Sequence, residues 1–233
     1  MSEHRASELI SKLSLNSGDW VLDAGCGSAE FLINLSRATG CLGFGIDIDQ
    51  AVLDLGAQRA GDLIEAGRLD LKRMDLRNSN AIRENFDVVI CLGSSHAFAE
   101  AERAYPEMLE CLNRLIRPNG KILIGECFWK KEPEPDYLKL IGEPVGVYRS
   151  FDENIACAAS IGLRVIEADQ ATLQEWDTFE QDHLRRAEDR MSDASAGSDV
   201  EEKLKTHREW YEGYEKWGRE TMGFGFYLFQ RAT

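Results

Sequence analysis

The chain has 233 residues, 43% hydrophobic and 29% charged, enough for one large domain whose core needs no disulfide or structural metal. Its 27 Lys and Arg stand against 41 Asp and Glu, a formal net charge of −14. Such a surface repels phosphate backbones and anionic lipid, which argues against nucleic acid or membrane as partner.

The first residues, Met1 to Arg5, lead into a polar helical pattern with no apolar signal region, and no window of 18 apolar residues follows. The six cysteines form no CxxC pair, so buried thiols and a cytoplasmic address are expected. Strand-like runs then alternate with helical ones. Strands are expected at Trp20–Ala24, Gly43–Asp47, Leu69–Met74, Asp87–Leu92, Lys121–Cys127, Leu163–Ala168 and Phe224–Arg231. Helices are expected near 4–14, 28–39, 50–66, 99–116 and 152–161, with a turn at Arg117-Pro118-Asn119-Gly120 and an irregular loop over 128–150. That alternation predicts an α/β fold: a Rossmann-like, seven-stranded, doubly wound sheet in a single domain over 1–233. Residues 170–221 break the pattern. Two aromatic stripes at helical spacing, one from Trp176 to Met191 and one from Leu204 to Trp217, flank a turn at 192–199. They predict a helical hairpin inserted before the last strand. Four of the five tryptophans, Trp129, Trp176, Trp210 and Trp217, fall in this insertion or in the loop after the fifth strand. The hairpin is therefore expected to cover an acceptor pocket, with Trp129 and Trp176 binding substrate; packing on an outer helix or in a dimer contact is the alternative.

The chemistry concentrates where the first strand ends, in Asp23-Ala24-Gly25-Cys26-Gly27. Glycines at 25 and 27 permit a sharp turn and close ligand approach before a helix begins. Asp47, twenty residues after Gly27, closes the second strand, where a carboxylate reaches ribose hydroxyls. Dinucleotide enzymes share both features. Here, however, Glu30 replaces the third glycine of G-x-G-x-x-G, and Asp23 would face a pyrophosphate with like charge. S-adenosyl-L-methionine, which carries no phosphate and bears an ammonium and a sulfonium, turns that repulsion into attraction.

In these residues the chain resembles the class I S-adenosylmethionine-dependent methyltransferases, and later segments look like a bacterial subgroup acting on small molecules. VLDAGCGSAEF, GFGIDID, MDLRN, FDVVICLGSSHAF and RPNGKILIGECFW match that family's motifs in order over about residues 5–130. The resemblance implies an antiparallel last strand. It places Asp23, Gly25, Cys26 and Gly27 at the amino-acid end of the cofactor and Asp47 on the ribose. Ile48 would pack on the adenine, Asp75 and the Leu76 backbone would hold its amino group, and Leu92 and Gly93 would line the methionine side.

Methyl transfer by in-line displacement chiefly needs alignment and exclusion of water, with a base only if the acceptor must lose a proton. His96, after the fourth strand, and Glu126, at the end of the fifth, are the candidates for proton handling or substrate contact. The expected partner is a small-molecule methyl acceptor, with oligomeric state unspecified and no metal site. Four alternatives remain: a catalytically silent cofactor-binding module, a nucleotide-dependent oxidoreductase, a nucleic-acid or protein methyltransferase, and a metalloid methyltransferase using the thiols of Cys91 and Cys127.

Overall fold

The structure, a computed structural model, describes residues 1–82, 85–192 and 198–231. In chain order the regular elements are α1 (Glu3–Leu13), β1 (Trp20–Ala24), α2 (Glu30–Thr39), β2 (Leu42–Asp47), α3 (Gln50–Arg59), α4 (Gly61–Glu65), β3 (Leu69–Arg73) and β4 (Phe86–Leu92). There follow α5 (Ala104–Leu115), β5 (Ile116–Trp129), α6 (Pro135–Ile141), α7 (Phe151–Ser160), β6 (Leu163–Gln170), α8 (Leu173–Ser192), α9 (Ser198–Gly213) and β7 (Met222–Arg231).

The seven strands form one sheet in the order β3-β2-β1-β4-β5-β7-β6. All run parallel except β7, which lies antiparallel to both β5 and β6. Side-chain alternation sorts the sheet residues onto two faces. Leu22, Ile46, Val89, Ile124 and Tyr227 pack toward α5 and α7, while Val21, Ile90, Leu123 and Leu228 pack toward α1 and α2. A third cluster of Tyr137, Trp176, Tyr214 and Met222 joins α6 to the base of the α8–α9 hairpin. Among the described residues no helix is long and apolar enough to cross a membrane.

Several expected boundaries move, each for a local reason. The helix expected over 50–66 is broken between Arg59 and Gly61, where the amides of Leu63 and Ile64 both turn to the Ala60 carbonyl. The one expected from 28 starts at Glu30, because Ala29 at φ +54° still belongs to the preceding turn. The 99–116 pattern begins as a single turn at Ala101–Arg103 before α5. The turn at 117–120 survives as an irregularity at the start of β5, with Asn119 at φ +65° and the register jumping between Phe86 and Val88. The 128–150 loop contains α6 and a one-turn helix at Val145–Val147. Of the turn expected at 192–199, residues 193–197 lie outside the described residues.

Candidate active site

The turn after β1 is held by one carbonyl: the amides of Gly25 and Cys26 both donate to Ile46 O, at 2.8 and 2.9 Å. Gly25 has φ +77°, and a Cβ there would collide with the side chain of Ser94, whose hydroxyl donates back to Gly25 O at 3.2 Å. Loop β1–α2 and the loop after β4 can therefore approach only with glycine at 25. Gly25→Ala is expected to abolish cofactor binding in a protein that still folds, checked by calorimetry beside far-UV circular dichroism. Gly27, at φ +54°, faces open space instead, with nothing within 4 Å of its would-be Cβ. This is a cradle that a ligand can enter.

Carboxylates ring that cradle. Asp47 Oδ2 accepts from the Gly27 amide at 2.8 Å and Oδ1 from the Asp49 amide at 3.0 Å, which fixes the group at the mouth of β2. The Met74 amide donates to Asp47 O at 2.9 Å, tying the ends of β2 and β3 together. Beside it Ile48 is 59% exposed, a large apolar side chain left mostly in water. Asp75 Oδ1 accepts from the Arg77 amide, while the Leu76 side chain is buried in the core. Asp23 is buried, and desolvation together with the Asp47 charge pushes its carboxyl up to about 7. The side chain of Cys26 turns inward against Gly45, and burial raises its thiol. Asp47 on the Gly27 amide, with buried Asp23 coupled to it, makes an anionic cradle that suits a cationic group better than a pyrophosphate.

Next to this cradle lies a cavity of about 290 Å³, lined chiefly by Leu92, Gly93, Trp176, Phe179, Phe224 and Phe226. Phe224 lies over Gly125, where a Cβ would come within 2.7 Å of its ring. Trp176 stacks on Phe224 and on Phe179, each at 5.8 Å between centroids. Its indole Nε1 is buried without a hydrogen-bond partner among the described residues. A larger groove of about 820 Å³ between α1, α2 and α8 shares Met1, Arg5, Glu175 and Phe179 with this cavity.

The other expected residues lie apart from the cavity lining. Trp129 belongs to the third cluster, edge-on to Tyr137 and Tyr148, and its Nε1 already donates to Val145 O at 2.8 Å. Trp210 donates to Glu180, and Trp217 packs beside Tyr137. His96 is exposed in a one-turn helix, Ser95–Ala97. Glu126 shares the sheet face of Ile122 and Ile124, toward α5 and α7. Burial pushes its carboxyl up to about 7, against the opposing pull of the Ser95 hydroxyl, the Cys127 amide and the Arg149 charge. Among the described residues, Glu126 Oε2 and Arg149 Nη1 are both buried without a hydrogen-bond partner. Cys91 pairs with Ile124 across the sheet, so Cys127, three residues further along β5, points to the opposite face. Burial raises both thiols, and the pair forms no shared thiol site.

Arg5, which sequence reasoning passed over, borders the cavity together with Glu175. Arg5 of α1 donates to both carboxylate oxygens of Glu175 at 3.0 Å and pairs with Asp169. Its guanidinium also sits 5.3 Å from the Phe226 ring centre. At the next turn Asp177 accepts from Arg219 twice at 2.8 Å and from Tyr214 at 2.6 Å. The run Glu175-Trp176-Asp177 thus fastens α8 to α1 on one side and to the end of the hairpin on the other, with Trp176 between.

Comparison with known proteins identifies relatives of the whole chain. A family model described as a methyltransferase domain matches residues 21–120. A SAM-dependent methyltransferase from Geobacter sulfurreducens, solved in complex with S-adenosyl-L-homocysteine, is similar at a TM-score of 0.82 and 26% identity, covering 99% of this chain and 92% of that one. A second, from Thiobacillus denitrificans with the same ligand, is similar at 0.81 and 27% identity, covering 99% and 92%. The uncharacterized protein YjhP of Escherichia coli (strain K12) is 27% identical over 237 residues, 97% of this chain and 90% of that protein.

Proposed function

We propose, from the chain's membership of the class I S-adenosylmethionine-dependent methyltransferases, that it methylates a small molecule held in the cavity beside Leu92 and Gly93. It is an enzyme, and S-adenosyl-L-methionine is its cofactor. The observation that carries the reading is the junction of two unlike environments at the end of β4: an anionic, glycine-lined cradle on one side and an aromatic-lined cavity on the other. When bound, the cofactor supplies a sulfonium methyl group as electrophile.

Each residue has a task in this reading. Asp47 binds the ribose hydroxyls, and the amides it already accepts hold it ready, so little ordering is left for the ligand to induce. Asp23, with the backbone of Gly25, Cys26 and Gly27, receives the amino-acid end. Ile48 covers the adenine, and Asp75 with the Leu76 amide holds its amino group. Leu92 and Gly93 separate the cofactor from the acceptor, and Trp176 forms the acceptor wall. His96 and Glu126 lie outside the cavity lining, so the reading assigns rate enhancement to alignment and exclusion of water rather than to a general base.

Calorimetry with S-adenosylhomocysteine tests the cofactor half. Asp47→Ala removes a charge-assisted bidentate contact, so affinity is expected to fall by roughly 1.5–3 kcal/mol in a folded protein. Unchanged affinity would show that the ribose lies elsewhere.

A further inference from the structure

The floor of the cavity is built on a position that has no side chain. Gly125 of β5 pairs with Leu92 of β4 on one side and with Phe226 of β7 on the other, so the three share one face of the sheet. Leu92 and Phe226 both line the cavity, and between them position 125 leaves a slot. The Phe224 ring fills it. A Cβ at 125 would lie 2.7 and 2.8 Å from ring atoms Cε1 and Cζ, and 3.1 Å from Leu92 Cδ2. The same ring passes over Gly93, where a Cβ would meet Cε2 at an ordinary 3.8 Å. Gly125 has no positive φ, and its carbonyl accepts from the Gly93 amide at 2.8 Å. Alanine there would keep the backbone and be opposed by side chains alone, chiefly the ring.

The ring's other neighbours are Trp176, stacked at 5.8 Å between centroids, and Phe226, edge-on at 5.2 Å. Both are cavity walls, as are Leu92 and Gly93. With the sheet behind it and cavity walls around it, a displaced ring takes room from the cavity. The outer end is different. It shares Met1, Arg5, Glu175 and Phe179 with the larger groove, so the floor does not set the length of an occupant. What the floor sets is how far a broad inner end can reach toward Leu92 and Gly93. In the proposed function those two residues separate acceptor from cofactor. Reach at that point decides whether a nucleophile can line up with the sulfonium methyl.

We propose that Gly125 is a specificity-determining residue: by leaving a slot for the Phe224 ring, it sets the depth of the acceptor cavity at its inner end. The assignment rests on the cavity being the acceptor site. The test uses a broad probe, 1-naphthol, and a narrow one, phenol, each titrated by calorimetry into protein saturated with S-adenosylhomocysteine. Gly125→Ala should weaken 1-naphthol at least about fivefold and phenol less than about twofold, with S-adenosylhomocysteine affinity within about twofold of the parent. In a Phe224→Leu background, where a smaller side chain occupies the slot, the same Gly125→Ala change should cost 1-naphthol less than about twofold. A general loosening of the fold would instead weaken both probes and S-adenosylhomocysteine together. Phe224→Trp, a larger ring over the same glycine, should reproduce the loss of 1-naphthol and decides the matter if Gly125→Ala folds poorly. The proposal is overturned if Gly125→Ala weakens both probes alike, leaves 1-naphthol unchanged, or costs as much with Phe224→Leu as without it. Unchanged 1-naphthol affinity in Phe224→Trp overturns it equally. A parent that binds S-adenosylhomocysteine but neither probe overturns it together with the acceptor reading, and a parent that binds no S-adenosylhomocysteine overturns both through the cofactor reading.

Discussion

Replacing Asp23 with Asn should make the cofactor-free protein more stable, by roughly 2–4 kcal/mol near pH 8. Burial and the Asp47 charge raise the Asp23 carboxyl from an ordinary 3.8 to about 7. In the folded state the ionised form is thus the disfavoured one. Below about pH 4 the group is protonated whether the chain is folded or not, and it exacts no penalty. Between about pH 4 and 7 the unfolded chain releases the proton while the folded one keeps it, so stability falls as pH rises; above about pH 7 the penalty is complete. A gap of about three pH units corresponds to roughly 4 kcal/mol, of which Asn keeps the shape and removes the charge. The gain should therefore vanish near pH 4. Glu126, raised to about 7, and Glu180, raised to about 6, tilt the unaltered protein the same way. Urea denaturation across this pH range checks the prediction. A variant less stable than the parent near pH 8, or one with a gain independent of pH, contradicts it.

The same variant should bind S-adenosylhomocysteine at least about tenfold more weakly, because the carboxylate that burdens the empty protein faces the ligand's ammonium in the proposed complex. Affinity in the parent should rise with pH through about 7, as Asp23 ionises, and this dependence should disappear in Asp23→Asn. A group that destabilises the empty fold and strengthens the complex is what a binding site requires and a core does not.

Much of this was legible from local pattern. Parallel strands buried on both faces read as largely apolar runs, so β1 and β4 announced themselves, and the glycines at 25 and 27 marked the turn that follows β1. Short-range conflicts were harder. The Ala60–Gly61 break lies inside an unbroken helical pattern, because which carbonyl an amide chooses there leaves no periodic trace. The thiols Cys91 and Cys127 end neighbouring strands, and only the β4–β5 register, which pairs Cys91 with Ile124, reveals that they face apart. The partners of Arg5 lie 164 and 170 residues away, so an arginine on an amphipathic helix gave no sign that it would pair with Glu175 at the cavity's edge. The hairpin was visible through its aromatic stripes. Its division of labour was not: Trp176 lines the cavity, while Trp210 bonds Glu180 within the hairpin and Trp217 packs beside Tyr137 of α6.

That buried arginine carries the last expectation. We propose that α1 and the base of the hairpin close over the acceptor cavity as one cover, with Arg5 as the fastening between them. The Arg5 side chain is 8% exposed, that of Glu175 22% and that of Asp169 50%. Breaking a fully buried pair costs about 3–5 kcal/mol, and the partly wet carboxylates here reduce that to roughly 1–3 kcal/mol for Arg5→Ala near pH 7. The hydrogen bonds from Arg5 are the main reason the Glu175 carboxyl is held at about 2. The stabilisation is therefore present above about pH 4.5 and is lost as pH falls toward 2, so parent and variant should converge in acid. Urea denaturation at about pH 7 and about pH 3 reads that convergence. The effect on the cavity is more specific. Without Arg5, Glu175 lines it as an uncompensated carboxylate, and the Phe226 ring loses the cation in front of it. The variant should then bind 1-naphthylmethylammonium better than the parent does, and 1-naphthol worse, while S-adenosylhomocysteine affinity changes by less than about threefold. Asp177→Ala supplies the contrast: it frees Arg219 and Tyr214 at the far side of Trp176 and should loosen the hairpin without altering the charge of the lining. If Arg5→Ala leaves probe selectivity as it was, Arg5 does not balance Glu175 within the cavity. If it leaves stability near pH 7 unchanged, α1 is not fastened to the hairpin through this pair.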